Sequence, residues 1–436
     1  MNLRRALYVL LCLGAAIVEG CNSGNGVGAI PILTRVRVVN LIPNAPGIIL
    51  TLDSDAPLVS GLGFEQLTQY IEVTSGTREF RVSADGGATT LIDVTQPLAN
   101  GIDYTFIVYG PVEAANSQFQ VDGGIIGPNA GTFLLRMTNL APAARAIDVY
   151  LTAAGADLTL TAPIITSVPY GSTTVFVSVT PGSYELRLTT NGTKEVIYDT
   201  GVIDFGDKTI VQAAAFGKGS SKLVNVAVLN IDAQGTGQVY ENRLAEFKLV
   251  NGSSVGSPLN VFVDGVLTLA NVPFAGVSNY QKTSTGSRNI SIESAATPGA
   301  SLLALTSDLA SATDTSIVVS GPSGALRALV LTDNNLPSAA GRARVRFVNA
   351  SPDLASVDVY ANFAKTFAGI LSNSASAYTE LIADSTGTAY EFDFNLAGTT
   401  TPAIMLPNVT IAGGSTYTVY VVGPASALQG VVVSDN

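Results

Sequence analysis

The sequence predicts an all-β chain of four tandem Ig-like β-sandwich domains following an N-terminal signal peptide, and three observations carry that reading. First, apolar residues make up 47% of the 436 residues and charged ones only 13%, so the chain has ample material for a packed core and too little charge for disorder. Second, the apolar residues come as short Val/Ile/Leu/Tyr/Phe runs cut by 43 Gly, 20 Pro and many Asn, Asp, Ser and Thr, with no Trp. Third, one strand motif recurs at intervals of about 100 residues, the size of a small sandwich.

Taking the elements in order, Met1-Asn2-Leu3-Arg4-Arg5 places two cations ahead of the apolar run Ala6 to Val18, which reads as an export signal. A permanent helical span needs roughly 17–25 apolar residues, so the run is short for an anchor. Val18-Glu19-Gly20-Cys21 looks like a bacterial lipobox, with Cys21 as the lipidated residue and Glu19 departing from the usual small or apolar position. The signal is therefore set at 1–20. Residues 21–30, beginning Cys21-Asn22-Ser23-Gly24, form a Gly-rich flexible tether. By resemblance to lipoproteins of diderm bacteria, Asn22 after the cysteine implies the outer membrane.

The four units are placed at 31–128, 129–235, 236–338 and 339–436. Each opens on a strand ending in Asn: Arg35-Val-Arg-Val-Val-Asn40, Leu134-Leu-Arg-Met-Thr-Asn139, Ala245 to Asn251, and Arg344-Val-Arg-Phe-Val-Asn349. Pro43, Pro142 and Pro352 break three of them. A second strand follows, as in Ile147-Asp-Val-Tyr-Leu151, and a hairpin between the two is the economical expectation. Later come a turn Gly with an alternating strand, a buried strand closing on Gly, and a last strand ending in Asp122, Asp232, Asp333 or Asp435. Alternation of Arg35/Arg37 with Val36/Val38 predicts one wet and one packed face. Linkers are expected near 123–131, 235–241 and 334–341, between units large enough to fold alone.

Val261-Phe-Val-Asp-Gly-Val266, Asn271 to Tyr280 and Val345-Arg-Phe-Val-Asn-Ala-Ser-Pro-Asp353 resemble the bacterial domain of unknown function 4397 (DUF4397) family. The resemblance spans nearly all of residues 31–436. It implies a tandem β-sandwich of secreted proteins and lipoproteins, and no established activity. Family members often carry His where this chain has Asn40, Asn139, Asn251 and Asn349.

Composition excludes much chemistry. With no His, Ser-His-Asp and Cys-His catalysis are out of reach, and the only cysteines are Cys12 and Cys21. A formal charge of −11 with scattered cations argues against nucleic acid as a partner. Phe64/Tyr70, Tyr170/Phe176 and Phe274/Tyr280 repeat an aromatic pair, as plugs at the sandwich rim or as stacking platforms for sugar or a partner chain; the fourth copy breaks the spacing before Tyr378. Asp53/Asp55, Asp148, Asp264, Asp333 with Asn334/Asn335, and Asp353/Asp358 read as turn chemistry first, with calcium or a glycosidase pair as alternatives. The Asn ending each first strand reads as a cap of the backbone at the Pro break.

The expectation is a non-catalytic exported lipoprotein of the cell envelope, an outer-membrane binding, adhesion or scaffold module. It needs no cofactor and no metal, is held to the membrane by acyl chains, and contacts an envelope protein or polysaccharide. The rival is an extracellular carboxylate-dependent polysaccharide hydrolase, or a carbohydrate- or calcium-binding protein.

Overall fold

The computed structural model describes residues 33–53, 56–86, 89–218, 222–335 and 338–435; the signal, the tether, Cys21 and Asp55 lie outside the described residues. Those residues form 35 strands and four short 3₁₀ turns, with no α-helix among them. The strands assemble into eight sheets, two to a repeat, giving four β-sandwiches in tandem. The all-β reading of the sequence holds.

One sheet of each unit is mixed. In the first unit, Leu33–Leu41 runs parallel to Asp103–Tyr109, which turns back antiparallel into Asn116–Val121. Parallel partners recur as Phe133–Asn139 with Ile210–Gly217, Leu244–Ser253 with Asp314–Gly321, and Arg342–Ala350 with Thr416–Val422. The second sheet is antiparallel, in the order Pro57–Leu62, Ile48–Leu52, Gly76–Ala84, Thr90–Leu98 in the first unit. The first and second strands therefore do not form the expected hairpin. They lie in opposite sheets, because the break after the Asn carries the chain across the sandwich. The opening strand pairs instead with a strand late in its unit.

The conserved geometry of that crossing comes from the Asn itself, buried in all four copies. Asn40 accepts from the Ile42 N–H and donates to the Leu62 carbonyl. Asn139 accepts from Ala141 and donates to Arg145 and Val168. Asn251 and Asn349 repeat the arrangement with Ser253 and Val272, and with Ser351, Leu354 and Ile370. The side chain thus caps the break and latches one sheet to a strand of the other. Asn349→Ala is expected to lower stability by about 1–3 kcal/mol, because it strands a buried N–H and two carbonyls; urea unfolding measures it.

The opening strands depart from the expected wet face. Arg37 is 0% exposed, Lys248 2%, Arg346 3% and Arg136 7%. Their faces are covered by the neighbouring unit. Val39, Leu41, Ile107 and Tyr109 of the first sandwich share a core with Leu140, Ala214, Phe216, Ala227 and Leu229 of the second. Val250 and Val318 of the third share one with Val348, Ala350, Tyr420 and Val422 of the fourth. The chain is two face-to-face pairs in place of four separate beads. The physical reason is legible in the parallel strands: Phe106-Ile-Val-Tyr109 and Val419-Tyr-Val-Val422 are apolar at every position, so both faces must be covered.

The pairs also meet. Residues 237–240, which the repeat spacing allots to the third unit, add the strand Gly237–Tyr240 to the second unit's mixed sheet. Asn242, 1% exposed, then bonds the Ile197 and Val224 carbonyls, and Ala312 of the third unit enters the core of the second. Lys282 bonds Glu195 at 2.9 Å across the same junction.

Candidate functional site

The chemically richest residues sit in the two seams, where the units contribute a recurring quartet that is complete in three of the four. The first member is the cation three residues before the latch Asn: Arg37, Arg136, Lys248 or Arg346. In parallel register lies a polar partner: Thr105, Gln212, Ser316 or Thr418. An aromatic ring covers the cation, with Arg37 5.1 Å from the Tyr70 centroid, Arg136 4.9 Å from Phe176, Lys248 4.6 Å from Tyr280 and Arg346 4.8 Å from Tyr378. The Asp closing the last strand is the fourth member.

In the first seam one carboxylate serves two guanidiniums. Asp122 meets Arg136 at 2.8 Å and Arg37 at 3.4 Å, and accepts from Tyr70 at 2.8 Å and from Thr105. Asp232 does not join it: its carboxylate accepts from Gln234, Gly235 and Thr236 in the turn that follows. That turn instead offers main-chain oxygens, since Arg37 donates to the carbonyls of Asn230 and Thr236 at 2.9 and 3.0 Å. Gly235 lies against the Tyr70 ring, where a Cβ would stand 2.6 Å from it, so only glycine permits the turn.

The second seam is closer to symmetric. Asp333 takes Arg346 at 2.5 Å, Tyr280 at 2.7 Å and Ser316 at 2.6 Å. Asp435 takes Lys248, and Thr418 at 2.6 Å. Lys248 also lies 3.9 Å from Asp333, so the cations and carboxylates of the two units form one chain. Burial raises the Asp435 carboxyl above its ordinary range despite Lys248, and burial beside Asp333 and Asp435 drives the Tyr280 phenol far up. Arg346 is raised: burial opposes its charge, and Asp333 outweighs that. Arg346 is thereby held charged and Tyr280 neutral, while burial works against the charge of Asp435.

The aromatic pairs are placed by the same seams. The second ring of each pair covers a cation. The first reaches across to the partner unit, with Phe64 edge-on to Phe216 at 5.9 Å, Tyr170 to Tyr109 at 6.5 Å, and Phe274 against Gly423. Tyr378 fills the cation-covering role in the fourth copy, where the spacing breaks. The sequence signal that could have found the quartet was present. A cation three residues before each Asn, and an Asp closing each unit, recur together.

The other singled-out carboxylates do turn chemistry. Asp53 accepts the Glu79 N–H and pairs with Arg78 at 2.9 Å; Asp264 does the same with Asn289 and Arg288 at 2.9 Å. Asp148 accepts from the Ser167 and Gly192 N–H groups, and Asp358 from those of Gly369 and Gly398, with Lys365 at 2.8 Å. These donors hold the Asp53, Asp148 and Asp358 carboxyls below their ordinary range. Asp353 accepts the Ala425 N–H. Asp333 is the exception, a seam residue. Among the described residues no group of three or more His, Cys, Asp or Glu side chains is suited to a metal. An open groove of about 450 Å³ runs beside the first seam, between 65–67 and 237–241, with Glu65 and Glu241 on its lining.

The family profile described as "Domain of unknown function (DUF4397)" matches residues 34–150, 245–360 and 345–436. No curated protein matches the chain significantly. Among solved structures, the product complex of SpuA, a multi-modular glycogen-degrading pneumococcal virulence factor, is 11% identical with a TM-score of 0.15, over 60% of this chain and 37% of that one. The Bacillus anthracis TIE protein is 10% identical with a TM-score of 0.16, over 86% of this chain and 68% of that one.

Proposed function

The chain belongs to the DUF4397 family, and from that premise we propose that it is a non-catalytic, exported lipoprotein that serves the bacterial cell envelope as a stiff binding, adhesion or scaffold module. The observation that carries the reading is the sealing of the strongest charges inside the seams. Asp122, Asp333 and Asp435 have side chains 0% exposed, so the carboxylates best placed for acid–base work have no route to a substrate. With no His in the sequence, little else offers a general base near neutral pH.

The mechanism is presentation. Acyl chains on Cys21 fix one end in the outer membrane, residues 21–30 give reach, and the paired sandwiches display their outer sheets and hairpin tips at fixed spacing. Equivalent contacts from successive units to an envelope protein or polysaccharide add through effective concentration. The formal charge of −11 argues against nucleic acid as a partner.

Two measurements test this. Cys21→Ser in the native host is expected to move the full-length protein from the membrane fraction to the soluble exported fraction, with mass spectrometry of the wild type placing the lipid on Cys21. The purified protein is expected to retain an envelope polymer or protein without altering it. Turnover of a polysaccharide, or unchanged membrane partition of the Cys21→Ser variant, overturns the proposal.

A further inference from the structure

The outer sheet of the fourth unit carries an arrangement that the other units do not. On the strand Thr388–Leu396, Phe392 and Phe394 point into the core, so Glu391, Asp393 and Asn395 share the opposite face. Asp393 is 7% exposed and Asn395 5%. Glu391 Oε1, Asp393 Oδ1 and Asn395 Oδ1 are all buried and none accepts a hydrogen bond. Three unsatisfied acceptors in a row on one strand face are costly unless something positive meets them. Burial alone raises the Asp393 carboxyl.

The equivalent positions of other units say what that something is. Asp393 stands opposite Tyr360 in cross-strand register; the same place holds Arg81 opposite Thr51 in the first unit and Arg187 opposite Tyr150 in the second. Two residues before it, where the fourth unit has Glu391, stand Glu79 and Glu185. Arg81 pairs with Glu79 at 2.7 Å and with Asp93 at 3.3 Å, and Arg187 pairs with Glu185 at 3.4 Å. The fourth unit keeps the Glu and replaces its cation by an acid. The nearby Lys365 is engaged elsewhere, on Asp358 at 2.8 Å and 5.4 Å above the Tyr360 ring.

We infer that Asp393, with Glu391 and Asn395 on either side, forms a calcium site on the outer sheet of the fourth sandwich, the ion standing where the first two sandwiches hold an arginine. The donors are all hard oxygens, two carboxylates and an amide, which suits calcium over transition metals. Residues two apart on a strand are roughly 6.7 Å apart at Cα, so neighbouring side chains can reach one ion from both sides. With two acids only, the site is expected to be of the weak extracellular class, with Kd on the order of 10⁻⁴–10⁻³ M.

The test is calcium titration of the chelator-treated full chain, by calorimetry and by thermal melting, with magnesium and sodium at matched ionic strength as controls. The expected result is one calcium bound per chain in that affinity range and a rise in the melting temperature of the unit containing it. Asp393→Asn should lose the heat and the shift. Asp393→Arg should also lose them while melting higher than the calcium-free wild type, because it restores the guanidinium of the first two units. No calcium response in the wild type overturns the inference, leaving a proton or water on these oxygens. An undiminished response in Asp393→Asn overturns it too, by placing the ion elsewhere.

Discussion

Asp333→Ala is expected to destabilise the third and fourth sandwiches together by about 3–5 kcal/mol, the effect of removing one partner from a buried ion pair. Asp333 is the acceptor for Arg346, Tyr280 and Ser316 at once, and its side chain is fully buried. The variant leaves the Arg346 guanidinium with the Thr332 carbonyl and Thr418 hydroxyl, neutral groups that cannot offset its charge. Tyr280 loses its short acceptor in the same step. Lys248 retains Asp435, so the damage begins on the fourth unit's cation and passes to the third through the shared ring and hydroxyl. Urea unfolding with probes in both units measures it, and both should lose stability in one transition. A loss under about 1 kcal/mol, the size of a solvated pair, would mean that water reaches the seam. Asp93→Ala supplies the comparison, since Arg81–Asp93 is such a surface pair at 3.3 Å.

The seam explains which parts of this fold could be read from the sequence. Strand content, the four repeats and the latch Asn were legible because each leaves a local mark: alternation, a Pro break, a turn Gly. The partner of the opening strand was not, because the Arg37 to Thr105 pairing joins segments far apart in the chain that carry no shared local mark: one alternates Arg with Val, the other is apolar on both faces. The alternation of Arg37 with Val36 and Val38 suggested a solvated face. The rule failed because a second sandwich stands on that face and supplies a carboxylate, a ring and carbonyl oxygens for the guanidinium. Charge on a strand marks water only when no neighbour replaces it. The fourth unit's outer sheet was missed for a related reason. Asp393 in isolation is one more acid, and its meaning comes from its register with Arg81 and Arg187.

Phe216→Ala is expected to lower stability by about 3–5 kcal/mol, in the range for a fully buried aromatic, and to do so in two sandwiches at once. Phe216 belongs by sequence to the second unit, yet it is 1% exposed because its ring lies among residues of both. It meets Phe64 of the first unit edge-on at 5.9 Å and shares a core with Val39, Leu41, Ile107 and Tyr109. The cavity opens on the back of the sheet containing Leu33–Leu41, whose strand also holds Arg37 in the charged part of the seam. Hydrogen exchange separates the two architectures directly. If the sandwiches are one cooperative pair, amides of both Leu33–Leu41 and Ile210–Gly217 lose protection in the variant. If they are independent beads, only the second unit's strand does. The result bears on the proposed role as well: a spacer that displays contacts at fixed intervals needs seams that resist opening, and this substitution removes a fully buried aromatic side chain from one of them.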